Sequence, residues 1–166
     1  MDKWKVGILT ASDKGSRGER EDISGSVIKE LVSSINGEVI QHEVVADEQE
    51  WIKKSLIELA DVTQCDLIFT TGGTGFAARD VTPEATKAVI EREVPGIPER
   101  MRAATLVNTK FAILSRAAAG IRGNTLIINL PGSPKGVKEC FESIADVLPH
   151  ALKLLRANLE HDQEGV

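Results

Sequence analysis

Residues 70–86 read TTGGTGFAARDVTPEAT. Three glycines fall within four positions, an Arg-Asp pair follows, and Thr82-Pro83 opens a segment with helical character. So bare a backbone has two physical readings. One is a tight strand-to-helix turn that merely needs glycine. The other is a loop whose backbone N–H groups turn inward as a concave anion nest. The stretch matches neither the Walker phosphate loop nor the dinucleotide fingerprint, because the lysine and the spacing are missing. The neighbouring Arg79 and the helix start at Thr82 favour the anion-binding reading.

Working outward, the apolar periodicity alternates between strand and helix. Residues 5–12 (KVGILTAS), 38–46 and 66–71 read as strands, and residues 22–35 and 48–60 have helical spacing. Thr82 serves as an N-cap with Pro83 at the first helical position, and that helix extends to about Glu93. A short helix from Pro98 reaches about Asn108, residues 111–116 (FAILSR) read as a strand or hairpin arm, and AAAGIRG reads as a turn. Residues 125–130 (TLIINL) form the last clear strand. Ser133-Pro134 caps a helix whose buried face runs Val137, Cys140, Phe141, Ile144, Leu148, and Pro149 breaks it before a terminal helix to about Glu160. This order predicts a three-layer α/β/α sandwich with a mostly parallel sheet. Residues 1–160 are expected to form a single domain, with 161–166 a loose tail.

The chain has 166 residues, 42% hydrophobic and 27% charged, which suits one soluble domain with a full core. A net charge of −5 argues against a general nucleic-acid surface, which needs a basic face. Cys65 and Cys140 each sit in an apolar run and read as reduced core residues. The N-terminus lacks the apolar stretch of a signal peptide, and no run reaches the length of a membrane span, so the cytoplasm is the expected compartment.

In largely parallel sheets ligands bind beyond the carboxyl ends of the strands. Here those ends carry Ser12-Asp13, Ala46-Asp47, Gly72-Gly73-Thr74-Gly75 and Pro131-Gly132-Ser133. Four polar or small termini together favour one shared cleft. Gly132-Ser133-Pro134-Lys135 is a second strand end entering a helix, with a lysine in its first turn. Asp47 has the alternative of capping the helix that follows it, and Asp80 that of pairing with Arg79. Two carboxylates beside a phosphate site would repel the ligand without a cation, and Mg²⁺ is the usual mediator. The pattern therefore points to nucleotide phosphates with magnesium, to which Asp13 can contribute. His42, His150 and His161 lie away from the strand ends, and no Ser-His-Asp or Cys-His arrangement suggests covalent catalysis.

TTGGTGFAARDVTPEAT, AAAGIRGNTLIINLPGSPKG and the earlier VADEQ together resemble the MogA/MoaB-like molybdenum-cofactor biosynthesis family, which contains molybdopterin adenylyltransferase. The resemblance runs from the first strand to about residue 155. It implies the molybdopterin-binding domain fold and a homotrimer. It implies transfer of AMP from ATP to the terminal phosphate of molybdopterin, with Mg²⁺ and release of pyrophosphate. It implies a further partner in the molybdate-insertion enzyme of the same pathway. The family's catalytic aspartates fall on Asp47 and Asp80, which are also the implied magnesium ligands. Its substrate loops fall on Gly72, Gly73, Thr74, Gly75 and on Pro131, Gly132, Ser133, Lys135. Ser12, Asp13 and Arg79 complete the expected binding set. A non-catalytic pterin-binding or scaffold member of the same fold is the alternative, with a nucleotide pyrophosphatase third.

Overall fold

The computed structural model describes residues 2–164. In chain order it contains β1 (Trp4–Ala11), α1 (Asp13–Ser16), α2 (Ile23–Leu31), β2 (Gly37–Val45), α3 (Gln49–Ile57), β3 (Leu67–Thr71) and α4 (Thr82–Val89). There follow β4 (Arg92–Glu93), α5 (Gly96–Thr105), β5 (Ala119–Arg122), β6 (Thr125–Leu130), α6 (Pro134–Ile144) and α7 (Leu148–Glu164). The strands form one sheet in the order β2-β1-β3-β6-β5-β4. The first four are mutually parallel; β5 runs antiparallel to β6, and the edge strand β4 antiparallel to β5.

The central strands are apolar on both faces because helices cover both. Their side chains alternate between two cores. Val6, Ile8, Phe69 and Ile128 pack with Ile28 of α2, Met101 of α5, Phe141 of α6 and Leu152 of α7. Leu9, Ile68 and Ile127 face the other way, against Ile52 and Leu56 of α3 and Ala85 and Val89 of α4. The result is the expected three-layer α/β/α sandwich. Cys65 and Cys140 are free and buried, and burial pushes both thiols up to about 11.

Several local expectations are corrected. The segment 111–116 is not a strand. Lys110–Leu114 forms a 3-10 turn with Phe111, Ile113 and Leu114 exposed. The pairing strand is instead Ala119–Arg122, where a turn was expected. Its small residues allow this, because a β-carbon on Gly120 would lie 2.4 Å from Ile90 and 2.7 Å from the Arg92 carbonyl. The same contact ends α4 at Val89 rather than Glu93, since Arg92–Glu93 turns extended to pair with β5. Thr82 is the first helical residue of α4 and its side chain makes no cap; it is fully buried. Leu148 and Pro149 begin α7 rather than ending α6, as suits a proline in a first helical turn. That helix continues through Glu164, while Gly165 and Val166 of the expected tail lie outside the described residues.

One buried polar network ties the sheet to α4. Asn129 Nδ2 donates to the hydroxyls of Thr70 and Thr86 at 2.9 Å each, and its Oδ1 accepts from the Ala118 N–H at 3.0 Å. All of these groups lie away from water, so removing the hub leaves them unsatisfied. Asn129→Ala is expected to cost about 2–4 kcal/mol of stability in urea unfolding. A loss under about 1 kcal/mol would contradict the role of the network.

Candidate functional site

The sheet reverses its winding between β1 and β3, since β2 lies on one side of β1 and β3 on the other. At such a switch point the loops diverge and leave a crevice. Here the crevice holds about 480 Å³ and is lined by Ser12, Asp47, Gly72, Gly73, Asp80 and Gly132, among others. An adjoining, more apolar cavity of about 310 Å³ is lined by Thr74, Gly75, Met101, Phe111, Pro131 and Ser133. The glycine loop and the Pro131–Ser133 loop separate the two. Thr71 Oγ1 donates to the Pro131 carbonyl at 2.7 Å, and Ser24 Oγ donates to the Gly132 carbonyl at 2.7 Å, which fixes the second loop.

Two glycines set the path of the first loop. Gly72 has φ +91°, and a β-carbon there would lie 2.3 Å from the Ala11 carbonyl oxygen. Gly73 has φ +70°, and its β-carbon would lie 2.3 Å from Thr82 Oγ1 and 3.5 Å from Asp47 Oδ1. Both positions combine left-handed backbone with no room, so only glycine fits. The loop closes onto α4 through the Thr82 N–H, which donates to the Gly73 carbonyl at 3.1 Å.

The carboxylates are held by backbone rather than by the partners that their sequence neighbours suggest. Asp47 does not cap α3; the cap position is Glu48, and no side-chain cap bond forms there. Instead Asp47 Oδ2 accepts from the Asp13 N–H at 2.9 Å, and Asp13 Oδ1 accepts from the Asp47 N–H at 3.0 Å. Asp80 is not paired with Arg79. Its Oδ2 accepts from the Ala77 N–H at 3.0 Å. Arg79 reaches across to Asp13, with Nε–Oδ2 at 2.6 Å and Nη2–Oδ1 at 2.9 Å, and lies 3.7 Å from Glu48. Burial, joined by the nearby charges of Asp13 and Asp80, raises the Asp47 carboxyl above its usual range.

Of the expected site residues, Ser12, Asp47, Asp80, Gly72, Gly73 and Gly132 meet in the crevice, and Thr74, Gly75 and Ser133 face the adjoining cavity. Ser12 and Ser133 also cap α1 and α6, accepting from Gly15 and Gly136 N–H groups. Asp13 and Arg79 stand behind Asp47 as its support. Lys135 projects into solvent, 82% exposed, 3.9 Å from Glu139, and lines neither cavity.

Two features escaped the sequence reading. His42 is not remote: its Nε2 lies 2.8 Å from Asp22 Oδ2, which also accepts from Thr10 Oγ1 at 2.6 Å, and both Thr10 and Asp22 line the crevice. Nothing in the spacing of residues 10, 22 and 42 announces this. Arg116, expected in a strand, instead grips the glycine loop. Only its place in the fold reveals that role.

A parallel-sheet crevice bounded by two glycine-bearing loops and two backbone-held aspartates marks an α/β domain with a polar site at the carboxyl ends of its strands. The chain belongs to the MogA/MoaB-like molybdenum-cofactor biosynthesis family: the family profile described as "Probable molybdopterin binding domain" matches residues 7–150. It is 49% identical over 160 residues to a molybdopterin adenylyltransferase of Helicobacter pylori, covering 95% of this chain and 91% of that protein. It is 43% identical over 148 residues to the protein of that name in Escherichia coli, covering 88% and 76%. The crystal structure of the molybdopterin biosynthesis enzyme MoaB from Thermus thermophilus superposes with a TM-score of 0.87 at 54% identity, covering 92% of this chain and 96% of that one.

The Arg79 guanidinium, opposed by burial and helped by the Asp47 N–H, lowers the Asp13 carboxyl to about 2. This lies below the unfolded value of about 3.9. Asp13 therefore adds stability above about pH 4 that is lost as pH falls towards about 2. A carbon-13 NMR titration of Asp13 should show a midpoint near 2, moving up towards the ordinary carboxylate range in Arg79→Ala. An unmoved midpoint in the variant would contradict the clasp.

Proposed function

We propose that this protein is a molybdopterin adenylyltransferase, transferring AMP from ATP to the terminal phosphate of molybdopterin with release of pyrophosphate. The observation that carries the reading is the pairing of Asp47 and Asp80 across one crevice with the Gly72-Gly73 loop. The crevice lining holds Glu21, Asp22, Asp47 and Asp80 against a single cation, Arg20, so a polyphosphate needs a metal to enter. The residues fit Mg²⁺. Each aspartate has one oxygen tied to a backbone N–H, and among the described residues the other has no hydrogen-bond donor. Beneath Gly73, the buried Thr82 hydroxyl is also without a partner among the described residues. Among the described residues no ready cluster of three acidic, His or Cys ligands exists. The arrangement thus suits an ion held by two carboxylates and completed by phosphate oxygens. When bound, Mg²⁺ would neutralise charge on the transferring phosphates.

The chain's own groups do the rest. The two loops orient the triphosphate and the pterin phosphate so that a phosphate oxygen attacks the α-phosphorus in line. One P–O bond forms, the bond to the β-phosphate bridge breaks, and pyrophosphate leaves. The attacking phosphate is already ionised at neutral pH, so no strong base is required. The apolar cavity beside the loops, with Phe111 and Met101, suits a flat ring system. Exposed Val107, Phe111 and Ile113 support an oligomer, proposed to be a homotrimer. The same reading places the protein in the cytoplasm, handing its product to the molybdate-insertion enzyme; no helix of the described residues is long and apolar enough to cross a membrane.

The test measures adenylylated pterin by mass after incubation with ATP, Mg²⁺ and molybdopterin, for the parent and Asp80→Asn. The parent should form product. The variant should keep its circular dichroism spectrum and turn over on the order of 10²–10³-fold more slowly, as for loss of one transition-state electrostatic element. A parent without product would favour a pterin-binding scaffold, and equal rates would remove Asp80 from the chemistry.

A further inference from the structure

We infer that Arg116 is a positioning residue whose guanidinium fork fixes the loop 74–80 and thereby holds the Asp80 carboxylate in the crevice. The inference rests on the adenylyltransferase reading above for its kinetic consequence, but its structural basis is separate. The loop has little apolar anchorage. Thr74 is buried, whereas Phe76, Ala77, Ala78 and Arg79 are exposed. Its course must therefore come from polar contacts: Arg79 ties the exposed stretch to Asp13, and the contacts at the two ends of the loop converge on Arg116. The Arg116 N–H donates to the Thr74 carbonyl at 3.0 Å. Its Nε donates to the Gly75 carbonyl at 2.8 Å, and Nη2 donates to the Asp80 carbonyl at 2.7 Å. Nη1 pairs with Glu84 in the first turn of α4, just beyond the loop.

Both ends of the loop and the helix that follows are thus pinned to one residue, Thr74 by its backbone N–H and Gly75, Asp80 and Glu84 by its planar guanidinium. Within the pinned segment, Asp80 and Ala77 bond reciprocally: the Asp80 N–H donates to the Ala77 carbonyl at 2.9 Å, and the Ala77 N–H donates to Asp80 Oδ2 at 3.0 Å. This small ring aims the carboxylate, and Arg116 holds the ring in place. A lysine would keep the charge facing Glu84 but cannot span three acceptors with fixed geometry. If Arg116 served only to balance Glu84, lysine would suffice.

The test is Arg116→Lys, with Arg116→Gln as the second variant should lysine fail to fold by circular dichroism. Amide hydrogen exchange at Ala77 and Asp80 should rise by about tenfold or more while the unfolding midpoint stays near the parent value. Turnover should fall on the order of 10²-fold, as for misplacement of a reacting group by about 1 Å. KM for ATP should move less than about threefold, because the Gly72-Gly73 turn is tied to α4 through the Thr82 N–H rather than through Arg116. Parent-like exchange at those amides overturns the proposal, and so does faster exchange with unchanged turnover. Should the parent form no adenylylated pterin, the adenylyltransferase reading fails, and the exchange comparison alone then decides the clamp.

Discussion

The Ala11 carbonyl oxygen lies 2.3 Å from where a β-carbon of Gly72 would be. That close approach lets β1 and β3 run side by side to their carboxyl ends and turn away on opposite faces of the sheet. A larger side chain at 72 would force the strands apart or lift the loop. Gly73 repeats the constraint one residue later against Thr82. The crevice exists because these two positions carry no side chain, and its floor is backbone. Everything that gathers there, from the Ser12 cap to the Pro131–Ser133 loop, is placed relative to that floor.

The electrostatics follow from the same geometry. Loops from β1, β2 and β3 bring acidic residues close together, and the fold answers unevenly. Asp13 receives a bidentate guanidinium and is lowered to about 2. Asp47, partly buried beside it, receives a single backbone N–H and is raised instead. One carboxylate is thereby a structural counter-charge to Arg79, and the other carries no ion pair among the described residues. Pairs of acids pushed apart in this way are a common mark of functional sites. Arg79 looked from the sequence like a ligand for phosphate; the structure spends it on Asp13 and Glu48.

Much of this was legible in the sequence. The apolar runs at 5–12, 66–71 and 125–130 marked the parallel core, since strands covered on both faces leave a continuous apolar signal. The strand ends pointed to the crevice, because in such sheets the ends and the site coincide. Between 90 and 123 the helix from Pro98 was legible as α5, but β4, β5 and the turn between α5 and β5 were misread. There the strands are two and four residues long, at the sheet's edge, and their pairing is set by the space beside Gly120 rather than by periodicity. Arg116 was hidden for the same reason, as its role depends on carbonyls some forty residues earlier in the chain. His42 was hidden because its partner Asp22 meets it only after β2 docks on β1.

The central claim is that Asp47 and Asp80, with the Gly72-Gly73 floor, form a divalent-cation and phosphate site. The most direct measurement is a crystal structure of the protein soaked with Mn²⁺ and a non-hydrolysable ATP analogue, with anomalous scattering at the manganese edge. The account predicts an anomalous peak bound by both aspartates, with triphosphate oxygens completing its coordination above the glycine loop. Nucleotide bound with the metal distant from both carboxylates, or nucleotide seated away from the crevice, would contradict it.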